Sequence, residues 1–163
     1  MVCRQVGVWC AGLALGLVID SAAMADSITG MASVLDGDTL ELDGEHIRVL
    51  NIDAPELDQI CIAPSDNGFW NCGQEAARAL QSFLSQYSVT CETRGTDYSG
   101  RWFGLCNVPG MSIASWMAAQ GWAVPNRDCQ CEEVRAWAAF AKSKNVGIWG
   151  SKFDMPWIWR KTN

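Results

Sequence analysis

The chain has 163 residues, 12 of them Lys or Arg and 18 Asp or Glu, for a formal net charge of −6. That acidity excludes a protein drawn to nucleic acid by its overall field, so any nucleic-acid activity must come from a local site. No internal repeat, low-complexity tract or long charge run marks a second domain.

The first residues read as an export address: Arg4, an apolar run from Val6 to Ile19, then "SAAMA" with small residues at Ala23 and Ala25. This is the pattern of a signal peptide over residues 1–25, cleaved after Ala25. The apolar run is shorter than the roughly 20 residues that span a bilayer, and Asp20 closes it, so no membrane attachment is expected after cleavage. The product is expected to be periplasmic or secreted. It should form a single domain over residues 26–163, with a short C-terminal tail from about residue 151.

From Ile28 to Ile52 the pattern favours a three-stranded meander, "SITGMASVL", "DTLELDG" and "HIRVLNI", with turn signals at Asp36-Gly37 and Asp43-Gly44. In "GQEAARALQSFLSQY", Ala76, Leu80, Phe83, Leu84 and Tyr87 recur at helical spacing. Strands over Ser88 to Thr93 and Trp102 to Val108 flank a turn at Asp97 to Gly100. "SIASWMAAQG" then reads as a short helix stopped by Gly121, and "CEEVRAWAAFAKSKNVG" as a longer one stopped near Gly147. This order suits a mainly β, α+β fold: a five-stranded barrel with three helices packed outside.

Cys3 and Cys10 leave with the signal, and the six remaining cysteines are an even set, which in an exported chain implies disulfides. If the hairpin turn is centred between Tyr98 and Ser99, Cys91 falls opposite Cys106 at bridging distance. Such a bond closes a loop of about 16 residues and contributes about 3 kcal/mol. Cys61 and Cys72 bracket a Pro/Ser/Asp/Asn/Gly-rich loop that a Cys61–Cys72 bond would staple. Cys129 and Cys131 are open to a bridge, to free thiols or, more remotely, to a metal. Of the tryptophans, Trp116, Trp122, Trp137 and Trp149 fall where helices pack on a barrel and are expected in the core. Trp102, next to Arg101 at the hairpin tip, is the one expected to be exposed.

Singly, the polar features are ordinary. "DGD" at Asp36 to Asp38 is a common turn, Glu75 and Arg78 form a surface pair, and His46 borders a turn. Together they acquire a chemical meaning. Asp36, Asp38 and Asp53 offer hard oxygen ligands that suit calcium or magnesium rather than zinc or copper. Glu56, just beyond Pro55, is placed to act as a general base on water. Arg48 and Arg101, one from each half of the barrel, suit a phosphate clamp. A hard cation, a base and two arginines form a phosphodiester-cleaving set.

"VLDGDTLEL", "IRVLNIDAPE", "GQEAARAL", "DYSGR", "QGWA" and "VGIW", in this order from Val34 to Trp149, resemble the staphylococcal nuclease (thermonuclease) family, and the cysteines and the "MPWIWRK" tail resemble its exported Gram-negative members. The resemblance implies the five-stranded oligonucleotide-binding (OB-fold) barrel with three helices. It also implies hydrolysis of DNA and RNA with calcium, ahead of magnesium or manganese, to 3′-phosphate products. Position by position, it makes Asp38 and Asp53 the direct calcium ligands with the Ala54 backbone carbonyl as a third, where the best-known member has threonine. Asp36 becomes a ligand through water, Thr39 the hydroxyl beside the ion, Glu56 the base, and Arg48 and Arg101 the phosphate-binding arginines. The family's lysine and tyrosine before Gly-Arg are replaced by Tyr98 and Ser99, and its later Tyr-x-Tyr segment has no counterpart. Tyr98 and Trp102 are therefore the candidates for contact with a substrate base. A monomer with no stable protein partner is expected. The alternative is a non-catalytic module on the same barrel that binds nucleic acid or protein.

Overall fold

The computed structural model describes residues 26–163, so the expected signal peptide lies outside the described residues. The first strands are β1 (Ser27–Gly30), β2 (Ala32–Asp36), β3 (Thr39–Leu42), β4 (Glu45–Val49) and the two-residue β5 (Ile52–Asp53). A small ladder of β6 (Cys61–Ile62) and β7 (Phe69–Trp70) precedes α1 (Cys72–Leu84). The hairpin follows as β8 (Val89–Thr96) and β9 (Trp102–Val108), then β10 (Met111–Ser112), α2 (Ile113–Ala119), β11 (Val124–Pro125) and α3 (Glu132–Ser143). A 3-10 turn at Gly147–Gly150 leads to α4 (Pro156–Thr162). The segment expected to be a bare tail thus contains a fourth helix, begun by a proline in its first turn, where a missing N–H costs nothing.

The main sheet runs β1-β8-β9-β4-β3-β2. Its two ends are consecutive in the chain, so one segment closes the barrel: its first half pairs with β8 and its second with β3. The expected single first strand is therefore broken at Met31, an exposed corner between two partners. With β1 and β2 counted as the two halves of one broken strand, the closed path has five strands, as expected for the OB-like barrel, and β10 adds a short pairing on β9.

Alternation sends Leu40, Leu42, Ile47 and Val49 inward to full burial. On α1, Ala76, Leu80 and Leu84 recur every fourth residue and are all fully buried. Phe83 of α1 stacks on Trp116 of α2 with centroids 4.1 Å apart, joining the two helices outside the barrel. A satellite cluster gathers Cys61, Cys72, Val124 and Ile148 with Trp70, Trp122, Trp149 and Trp157 packed against it. Trp137 departs from expectation: it is 43 % exposed on α3, because that helix buries Val134, Ala138 and Ala141 instead.

Disulfides join Cys61 to Cys72, Cys91 to Cys106 and Cys129 to Cys131. Cys91 and Cys106 are direct cross-strand partners in the β8–β9 ladder. Three bridges are consistent with a chain exported to an oxidising compartment.

Candidate active site

The site begins in the β2–β3 turn. The Asp36 carboxylate accepts from the Asp38 N–H at 2.9 Å, which fixes the turn and aims Asp38 inward. Gly37 is required there, since a β-carbon would lie 2.6 Å from the Ala54 β-carbon. This close approach lets Asp38 accept from the Ala54 N–H at 3.0 Å and from the Thr39 hydroxyl at 3.2 Å. Asp38 and Asp53 are each only 3 % exposed.

Between them stands Arg48. In register it pairs with Thr39 of β3 on one side and with Phe103 of β9 on the other. Its Nη2 donates to Asp53 Oδ1 at 2.9 Å and lies 2.9 Å from Asp38 Oδ2, so two buried carboxylates converge on one cation. Even so, burial pushes the Asp38 carboxyl up to about 8; Arg48 opposes this and nearby Asp36 adds to it.

The parallel β4–β9 pairing also settles which hairpin residues share this face. Arg101 lies two residues before Phe103, the partner of Arg48, and so falls on the Arg48 face; Trp102 falls on the other. Arg101 is oriented by Asp97, which accepts from its Nε at 2.9 Å and from its backbone N–H at 3.0 Å. The Ser99 hydroxyl, and then Arg101, hold the Asp97 carboxyl well below its ordinary range.

Glu56 is placed by α1 and by Gln59. Gly73, near the start of α1, packs so closely that a β-carbon would lie 1.6 Å from the Glu56 carbonyl oxygen. The fully buried Gln59 accepts from the Glu56 N–H at 3.3 Å and donates to the Asp154 carbonyl at 2.6 Å. That second bond anchors the approach to α4, whose Arg160 donates to both oxygens of Asp53 at 2.8 Å and to Glu56. These bonds, to Asp53 above all, strengthen the hold of Arg160 on its proton.

Arg48, Asp53 and Arg101 line one cleft of about 470 Å³ together with Tyr98, Arg127, Trp157 and Arg160. Glu56 joins it through Arg160, and Asp38 through Arg48. Tyr98 is fully exposed at the hairpin tip. Trp102 lies outside: it packs against the barrel core and its indole N–H donates to Glu45 at 3.0 Å. His46 is also outside, beside Glu41 on the surface. Sequence reasoning missed Asp97, Gln59, Arg127, Trp157 and Arg160. A tail combining two tryptophans with an arginine was the available signal for the last two.

Among the described residues no three His, Cys, Asp or Glu side chains converge tightly enough to cage a metal ion as arranged. The donor set nonetheless fits a hard cation in kind, with the Asp38 and Asp53 oxygens facing a common positive group. In this structure Arg48 and Arg160 carry the compensating charge.

The family model described as "Staphylococcal nuclease homologue" matches residues 46–151. The succinoglycan biosynthesis protein ExoI of Rhizobium meliloti (strain 1021) is 40 % identical over 149 residues, covering 90 % of this chain and 75 % of the relative.

Proposed function

The chain belongs to the staphylococcal nuclease family, and from that premise we propose that it is a phosphodiester hydrolase that uses calcium to cleave DNA and RNA to 3′-phosphate products. The observation that carries this is the convergence of Arg48 with Asp38 and Asp53 beside Arg101 and Glu56. Asp38, Asp53 and the Ala54 carbonyl would hold the ion, with Asp36 reaching it through water. When bound, calcium supplies positive charge where negative charge develops on the phosphate.

Glu56 accepts the proton of the attacking water; the Gln59 bond to its N–H fixes its backbone, and Arg160 orients its carboxylate. Arg48 and Arg101 share a strand face and donate to the non-bridging oxygens as their charge grows. Asp97 keeps the Arg101 guanidinium aimed and so spares the cost of ordering it at the moment of reaction. We infer that the protein acts outside the cytoplasm, in keeping with its three disulfides.

The test is cleavage of labelled DNA and RNA by residues 26–163 with calcium, with end-group analysis of the products. Calcium-dependent release of 3′-phosphate ends, abolished by EDTA and lowered by orders of magnitude in Glu56→Gln, is expected. Unimpaired turnover by Glu56→Gln removes Glu56 as the base. A second reading, a binding module without catalysis, draws on Arg160 occupying both Asp53 and Glu56. Binding without cleavage across calcium, magnesium and manganese is its signature.

A further inference from the structure

On an acidic chain, four of the twelve Lys and Arg residues line a single cleft: Arg48, Arg101, Arg127 and Arg160. Two of these come from segments beyond the hairpin that carry no part of the hydrolytic set. Arg127 makes no ion pair among the described residues, and its guanidinium sits over the Trp157 ring at 5.8 Å. Trp157 is partly buried against the satellite cluster, which steadies its ring at the cleft wall. Arg160 spends three of its five N–H donors on Asp53 and Glu56, leaving Nε and one Nη2 hydrogen without an acceptor among the described residues. Across the cleft, Tyr98 stands free of packing.

The wall bearing these groups is firmly attached. Gln59 holds the Asp154 carbonyl, Trp159 donates to Asp58 at 3.2 Å, and Pro156 is buried. The loop bearing Arg127 is pinned by the Asn126 N–H to the Asn51 carbonyl at 3.0 Å. One cation without an ion pair among the described residues and a second with donors to spare, beside a fixed aromatic ring, form the surface that takes a nucleic-acid strand: arginine on the phosphates, aromatic face on an unpaired base.

We propose that α4 and the loop before α3 form a strand-binding wall specific for single-stranded nucleic acid. In it Arg127 swings from over the Trp157 ring to a phosphate, Trp157 stacks a base in its place, and the free donors of Arg160 hold the adjoining phosphate. The proposal rests on the nuclease reading for its substrate class. It supplies the base contact for which the sequence offered only Tyr98 and Trp102, the latter on the wrong face.

The experiment measures anisotropy of a fluorescein-labelled single-stranded 10-mer and of the matching duplex, in EDTA and over a salt series, so that cleavage plays no part. Trp157→Ala is expected to weaken single-strand binding by about 5- to 150-fold, and Trp157→Phe to recover most of it. Arg127→Gln and Arg160→Gln are each expected to lower the slope of log K against log salt by about 0.7. Thermal melts separate these effects from unfolding. The proposal is overturned if folded Trp157→Ala and Arg127→Gln variants both bind as the wild type, if the duplex binds as tightly as the single strand, or if Arg160→Gln binds the strand more tightly. Strand binding through this wall without any calcium-dependent cleavage sinks the nuclease reading and leaves this one; cleavage indifferent to Trp157 and Arg127 does the reverse.

Discussion

Replacing Gly73 by alanine sets two physical effects against each other with opposite signs. Gly73 lies inside α1, where exchanging Gly for Ala should stabilise the helix by about 1 kcal/mol. The new β-carbon, however, would stand 1.6 Å from the Glu56 carbonyl oxygen and 2.5 Å from its carbon. Both are backbone atoms with no rotamer to take up, so the segment carrying Glu56 must retreat by roughly 1.6 Å to reach ordinary contact. Overpacking of this kind costs about 1 to 3 kcal/mol, and against backbone atoms the upper end applies, which leaves a net loss of about 2 kcal/mol. At about 4 °C per kcal/mol for a domain of this size, the melting temperature should fall by about 8 °C. Displacing a general base by more than 1 Å should also lower turnover by about 100-fold. Differential scanning fluorimetry and the calcium-dependent cleavage assay read the two effects separately. A melting temperature raised by about 4 °C with full turnover would show that α1 does not set the position of Glu56.

Two further outcomes are expected. Because burial raises Asp38 to about 8, the ion-free site holds a proton at pH 6 that calcium must displace; apparent calcium affinity should rise about tenfold per pH unit and level off near pH 8, with calorimetry in two buffers reporting about one proton released at pH 6 and none at pH 9. The Cys91→Ser/Cys106→Ser double variant should lose about 3 kcal/mol in denaturant unfolding, while equal stability would mean that the bridge leaves the unfolded chain no more restricted.

The barrel was legible because its strands alternate and its first three helices repeat at 3.6 residues, signals that a chain of this composition does not obscure. The break at Met31 was not, since "SITGMASVL" alternates without interruption and the corner exists only because two different partners, β8 and β3, compete for one segment. Arg48, Asp53 and Glu56 stood out because charged groups on and after an apolar strand need an explanation beyond folding. Trp102 misled for the converse reason. Its neighbour Arg101 suggested a shared face, but successive strand residues point apart, and only the parallel pairing of β9 with β4 reveals which side meets Arg48. Arg160 lies 107 residues from Asp53 in a helix of 7 residues, too short for any periodicity to announce.

On the proposed reading, how an acidic chain attracts an anionic strand follows from the order in which charges are compensated. With the Asp38 proton retained, the carboxylates of Asp53 and Glu56 are balanced by Arg48 and Arg160, and Asp36 leaves the floor of the cleft with one net negative charge. A divalent ion that displaces that proton cancels this charge in a setting where burial weakens solvent screening, and removes the repulsion that phosphate would otherwise meet. Arg101 adds nothing to this balance, because Asp97 neutralises it and contributes direction instead. The attraction for phosphate is then conditional on the ion, whereas the unpaired Arg127 and the Trp157 ring act in either state. Gln59 makes these two parts one body, since the same buried amide fixes the backbone of Glu56 and the approach to α4. A strand seated on the wall is therefore held at a set distance from the base, which converts binding outside the hydrolytic set into orientation within it.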